Sequence, residues 1–194
     1  MWAKHKKQPG FTIVELLIVI VVIGILAAVS IVAFNGVQQR ARNTQTGSAV
    51  SQYLKLFKIY IADGNSYPST GNYACLGEDY PSDLCWNNGV AENASLNTLL
   101  KSQGNKLPMP GLISQSYSGI IYVPASINWK LDGQAVNWIV YAIDGKTTTE
   151  RCPVGPVATY LGGGGTDFSS TSPASGQSQA GTASQNPTCW IPLT

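Results

Sequence analysis

Histidine is nearly absent from this 194-residue chain, and the single copy, His5, lies within the first ten residues. A serine or cysteine nucleophile elsewhere would therefore lack its imidazole base. No Cys-x-x-Cys pair occurs either, so a zinc site is not expected. Charge is scarce: Asp, Glu, Lys and Arg make up 11 % of the residues and the net charge is +2. That leaves no strong basic field for nucleic acid. Gly162–Gly165 is a run of four glycines, but no Gly-Lys-Ser/Thr follows, so it reads as a linker rather than a phosphate cradle. We found no internal repeat. Neither an enzyme nor a cofactor is expected.

What the chain does have is one long apolar run. From Phe11 to Phe34 the only departures from apolar residues are Thr12, Glu15, Gly24 and Ser30. As a helix this stretch reaches about 36 Å, enough to span a bilayer with tilt. Lys4, His5, Lys6 and Lys7 precede it in a short leader ending in Pro9-Gly10. No proline falls between Phe11 and Phe34.

Glu15 is out of place in such a helix. Charged residues at a bilayer centre cost about 2.5–3.5 kcal/mol on insertion scales. If the chain were cut between Gly10 and Phe11, the new ammonium on Phe11 would lie one helical turn from Glu15. The two charges would then neutralise each other, within one chain or between neighbours. A plain anchor has no use for Glu15. Nor has an ordinary signal peptide cut near Ala28-Val29-Ser30, because the apolar run continues beyond that point.

Gly10-Phe11-Thr12-Ile13-Val14-Glu15-Leu16-Leu17 resembles the prepilin leader junction of type IV pilins and of the pseudopilins of secretion and competence machines. The resemblance implies cleavage after Gly10 by a prepilin peptidase and methylation of the Phe11 amine. It also implies that Glu15 engages the Phe11 amine of an adjacent subunit. The implied partners are other copies of the chain in a filament, an inner-membrane assembly platform, and membrane lipid before assembly. Many family members carry a proline in the second half of the apolar run. Its absence here moves any local melting to Gly24 or Asn35-Gly36.

Past Phe34 the pattern resumes with Val50, Leu54, Phe57 and Ile61, flanked by Tyr53 and Tyr60, an amphipathic helical face. One helix is expected over residues 11–62, with 11–34 in the membrane or the filament core. Asp63-Gly64-Asn65 ends it, and Ser66-Tyr67-Pro68 looks like the segment that closes this helix in many pilins. Residues 63–194 would form the head, giving an α+β, pilin-like fold.

Within the head, residues 67–93 read as an irregular loop, and residues 94–102 as a short helix capped by Asn93. Runs at 117–123, 127–131 and 136–143 predict an antiparallel sheet, its inner face covering the C-terminal half of the long helix, with a two-residue turn at Asp132-Gly133. Trp129 and Trp138 are expected to pack in it. Residues 162–187, rich in Gly, Ser and Thr, read as a flexible surface loop. Cys189-Trp190-Ile191 would dock the C-terminus.

Cys75, Cys85, Cys152 and Cys189 form an even set in a chain that looks exported, which reads as two disulfides. Three pairings are possible. Cys75–Cys85 and Cys152–Cys189 are favoured because each closes one local segment. The resemblance makes the second the boundary of a C-terminal loop on the outer filament surface. Glu78, Asp79 and Asp83 cluster in the first cysteine loop, where a solvated acidic loop is expected before a calcium site. Asn93-Ala94-Ser95 fits a glycosylation pattern. Arg40 and Arg42, and equally Lys55 and Lys58, would meet headgroups, acidic neighbours or water.

Removing residues 1–10 leaves nine basic and ten acidic side chains, a charge of −1. Such a surface suits extracellular packing. The expected function is a structural subunit of a type IV pilus. A pseudopilin is the alternative within the same architecture, and a membrane-anchored binding module that never polymerises the alternative outside it.

Overall fold

The structure is a computed structural model that describes residues 10–80, 83–86, 89–104, 106–113, 119–145, 152–155, 159–160, 167–170 and 187–194. All of the expected leader except Gly10, and most of the 162–187 stretch, fall outside them.

A single helix, α1 (Ile13–Ala62), runs for 50 residues. Gly24 and Asn35-Gly36 lie inside it without a break. It stops where Gly64 takes φ +84, a left-handed conformation open to glycine. The Gly64 N–H donates to Ile61 O at 3.0 Å. The chain divides into two units, one ending at Gln38 and one from Gln39 to Thr194. In the first, every described side chain from Gly10 to Gln38 is exposed.

In the second unit, α1 buries Thr46, Ala49, Val50, Tyr53, Leu56 and Phe57, a spacing of three and four that gives one stripe. This stripe is turned from the expected one: Leu54, Tyr60 and Ile61 are only partly buried, while Leu56 and Ala49 face the core. Small Ala49 at the contact lets the helix approach the sheet, which apolarity alone does not reveal.

The sheet has the order β1 (Ala74–Leu76), β4 (Ile120–Val123), β7 (Asn137–Ala142), β10 (Thr188–Leu193), all antiparallel. Strand residues alternate faces. Ile120, Tyr122, Ile139, Tyr141, Ile191 and Leu193 share a core with α1. Ile121, Val123, Trp138, Val140 and Trp190 point the other way, into a second core with Phe168. The sheet is therefore buried on both faces. Two of its strands differ from expectation. β1 lies in the stretch read as a loop, and β10 is a full strand at the sheet edge.

Small pieces cover the second face. A hairpin joins β2 (Leu84–Trp86) to β3 (Val90–Ala91). β5 (Lys130–Leu131) and β6 (Gln134–Ala135) are joined by Asp132-Gly133, whose φ values of +49 and +84 fit the hairpin turn read from the sequence. β5 also pairs in parallel with β9 (Asp167–Ser169), which pairs with β8 (Thr159–Tyr160). The 162–187 stretch thus includes a strand, and Phe168 is 2 % exposed. One aromatic ring with a pocket among Trp129, Trp138 and Trp190 anchors it there, at centroid distances of 6.0, 4.6 and 4.9 Å. The short helix α2 (Ala94–Ser102) has the expected cap, with Asn93 Oδ1 accepting from Leu96 N–H at 2.9 Å.

Four core tyrosines tie the loops down. Their hydroxyls donate to carbonyls: Tyr53 to Pro108 at 2.9 Å, Tyr80 to Leu76 at 2.7 Å, Tyr122 to Pro68 at 2.7 Å, and Tyr141 to Val154 at 3.1 Å. Burial pushes all four phenols well above their ordinary pKa. These ties stay neutral throughout the physiological pH range.

Candidate assembly site

The start of α1 is built by two side chains. Thr12 N–H donates to Glu15 Oε2 at 2.9 Å, the Thr12 hydroxyl donates to the same oxygen at 2.8 Å, and Glu15 N–H donates to Thr12 Oγ1 at 3.2 Å. This reciprocal arrangement is a capping box, in which the first and fourth residues satisfy each other's free N–H groups. It gives Glu15 an intrachain role that the sequence reading missed, although Thr-x-x-Glu ahead of an apolar run is its signature. The carboxylate is turned toward the chain start, and Phe11 is the residue immediately before Thr12. Phe11 itself is 80 % exposed.

Among the described residues α1 is the one helix long and apolar enough to cross a membrane. Its polar exceptions are handled locally. The Ser30 hydroxyl donates to Leu26 O at 2.7 Å, so it presents no free donor to an apolar surrounding.

Further along, Arg42 is not left for headgroups, neighbours or water. Its Nε donates to Asp144 Oδ2 at 2.9 Å, its Nη2 contacts the same oxygen, and Gln39 Nε2 donates to Asp144 O at 3.1 Å. That these residues, about a hundred positions apart, meet is not visible in the sequence. Arg40 is exposed.

In the head, Cys75 bonds Cys85 and Cys152 bonds Cys189. The acidic residues of the first cysteine loop do not converge: Glu78 pairs with Lys101 Nζ at 2.6 Å, and no three potential ligands come together among the described residues.

Comparison with known proteins bears on the same stretch of sequence. Residues 5–31 match the model of the prokaryotic N-terminal methylation motif. The type IV wide pilus major component of Thermus thermophilus is 43 % identical over 71 residues, covering 37 % of this chain and 53 % of that one. A fimbrial protein of Pseudomonas aeruginosa is 28 % identical over 141 residues, covering 73 % of this chain and 81 % of that one. This chain belongs to the type IV pilin and pseudopilin family. The type II secretion system core protein G of Aeromonas hydrophila is also similar, at 32 % over 67 residues, covering 34 % of this chain and 47 % of that protein. The match spans about half the length of the Thermus pilin. No solved structure matches at the same level. In pilin terms the chain offers an apolar helix with one carboxylate near its start, and a disulfide-tied α+β head.

Proposed function

We propose that this chain is the structural subunit of a type IV pilus, made as a precursor, cut after Gly10 and methylated at Phe11. The Phe11–Phe34 helix holds the subunit in the membrane until assembly. It then exchanges lipid for the apolar helices of other copies. That exchange brings little hydrophobic gain, because lipid is already apolar, so packing and specific polar pairs must supply register and preference. Glu15 is the one acidic residue in the stretch, and in a filament its carboxylate takes the Phe11 ammonium of an adjacent subunit. The partners are a prepilin peptidase, an assembly platform in the inner membrane and further copies of the chain. The finished location is a surface filament, and the role is non-catalytic.

The observation that carries this reading is the turn of the Glu15 carboxylate back onto Thr12, one residue from the amine that cleavage would create. The test is mass spectrometry of the mature N-terminus from the native surface fraction. A chain beginning with N-methylated Phe11 supports the proposal. One beginning after Ser30, or one retaining Met1, removes it.

Similarity to the secretion protein of Aeromonas hydrophila favours a second reading, a pseudopilin building a short secretion fibre. Long extracellular fibres by electron microscopy separate the pilus from it.

A further inference from the structure

The segment Ser66–Ser69 follows the end of α1 and lies between two open hollows in the head, of about 630 and 360 Å³. Both fall within the usual size range of small-ligand sites, about 300–1,000 Å³. The larger is walled by Tyr60 and Tyr67, floored by Leu96 and Leu99, and fringed by Ser66, Ser69, Asn93 and Ser95. The smaller lies across Pro68 and adds Ser126 and Asn137. Among the described residues, no charged side chain lines either hollow.

Several of these polar groups are uncommitted. Among the described residues, the hydroxyls of Ser66, Ser69 and Ser95 and the phenols of Tyr60 and Tyr67 have no hydrogen-bond partner in the protein. Asn93 spends its Oδ1 on the cap of α2, which leaves its Nδ2 to donate outward. The walls are held in place. Tyr67 packs on Phe57 at a centroid distance of 6.2 Å, and the Tyr122 hydroxyl holds the Pro68 carbonyl at 2.7 Å.

We propose that this groove binds a neutral oligosaccharide. Sugars present an apolar face of C–H groups and a rim of hydroxyls that both donate and accept. Half-exposed tyrosine rings match the first, and serine hydroxyls with a free amide match the second. Phosphates, nucleotides and acidic peptides find no cation in the lining, and a lipid tail would strand the hydroxyls in an apolar contact. Two hollows sharing one segment fit a ligand of more than one ring. The site lies wholly in residues 60–137, so it requires neither processing nor assembly of the chain.

The test is saturation-transfer NMR on the full chain in detergent micelles, with maltotriose, chitotriose and mannotriose as probes. Saturable transfer to at least one of them is expected, with affinity falling at least tenfold in both Tyr60→Ala and Ser95→Trp. The first variant removes a wall, and the second fills the groove from an exposed position and spares the wall. Thermal unfolding midpoints close to that of the parent chain show that both variants fold. Absence of transfer to all three sugars overturns the proposal, as does binding that survives in either folded variant. Because the unassembled chain is used, a failure here leaves the filament reading untouched, and the reverse holds as well.

Discussion

Asn43 pairs both polar atoms of its side chain with the backbone of Asp144: Nδ2 donates to the Asp144 carbonyl at 2.8 Å, and Oδ1 accepts the Asp144 N–H at 2.7 Å. One amide on the helix thereby takes the place of a strand neighbour at the end of β7. Asn97 does the same for Gly77, donating to its carbonyl at 2.6 Å and accepting its N–H at 3.2 Å, and Asn97 is 1 % exposed.

The difference in burial sets the order of two substitutions. Leucine at position 97 strands one backbone donor and one acceptor, whereas at position 43 it strands only the Asp144 N–H, because Gln39 Nε2 still donates to the Asp144 carbonyl. A stranded group that water cannot reach costs about 1–3 kcal/mol. Asp144 is partly exposed, so water recovers part of that loss. Asn43→Leu is expected to destabilise the head by about 1 kcal/mol and Asn97→Leu by about 2–3 kcal/mol, on the same scale. Chemical denaturation of the two variants checks the order. Equal losses would mean that the Asp144 pairing is as dry as that of Gly77.

The capping box at Thr12 and Glu15 separates processing from assembly. Glu15→Val leaves Gly10-Phe11 and the apolar length intact, so cleavage is expected to persist while filaments disappear. Thr12→Val removes the hydroxyl on which the carboxylate rests, but keeps the carboxylate. Loss of such a cap costs about 0.5–2 kcal/mol of helix stability, and filament yield is expected to fall without vanishing. Immunoblots for the cleaved form, beside electron microscopy of the cell surface, read both effects. Normal fibres from Glu15→Val would sink the assembly role.

The two disulfides close loops of different length, with sequence separations of 10 and 37. If they act on the unfolded chain, loop-closure entropy makes them worth about 2.7 and about 3.8 kcal/mol respectively. Replacing both cysteines of the 152–189 pair by alanine is then expected to cost about 1 kcal/mol more than replacing the 75–85 pair. The measurement is equilibrium unfolding of each double variant. A larger loss for the short loop would place the effect in native packing instead, since Cys75 and Cys85 are both fully buried.

The sequence carried the long elements and lost the short ones, for physical reasons visible in particular residues. The span of α1 was legible because fifty residues pass without proline and end at Asp63-Gly64. α2 was legible from Asn93, and β4 and β7 from their Ile, Val, Tyr and Trp content. β1 was not, because Ala74-Cys75-Leu76 is three residues long among glycines and asparagines, and pairing with β4 makes it a strand. β10 contains Pro192, which argues against a central strand, yet β10 sits at the sheet edge, where a missing N–H is tolerated. At the assembly site Glu15 stood out by its charge, whereas Thr12 and the Arg42–Asp144 pair showed their roles only once distant or reciprocal partners were in place.

The last expectation concerns acid. Asp132, at the β5–β6 turn, accepts hydrogen bonds from the Ser170 hydroxyl and from the Ser170 N–H at 3.2 Å, and these hold its carboxyl below the ordinary value of 3.8. A carboxyl whose folded pKa is lowered stabilises the fold fully above its unfolded pKa, and that contribution drains away as pH falls through the folded value. It ties β5 to the end of β9, the strand that carries Phe168 into the aromatic core. Asp132→Asn is therefore expected to lower the unfolding midpoint at pH 7, by a difference that shrinks as acid brings the pH down through the lowered folded value and the parent carboxyl takes up its proton. Thermal melts of parent and variant across that range give the answer. A midpoint difference that stays constant with pH would assign the effect to turn geometry, since Asp132 sits at φ +49, and not to the charge.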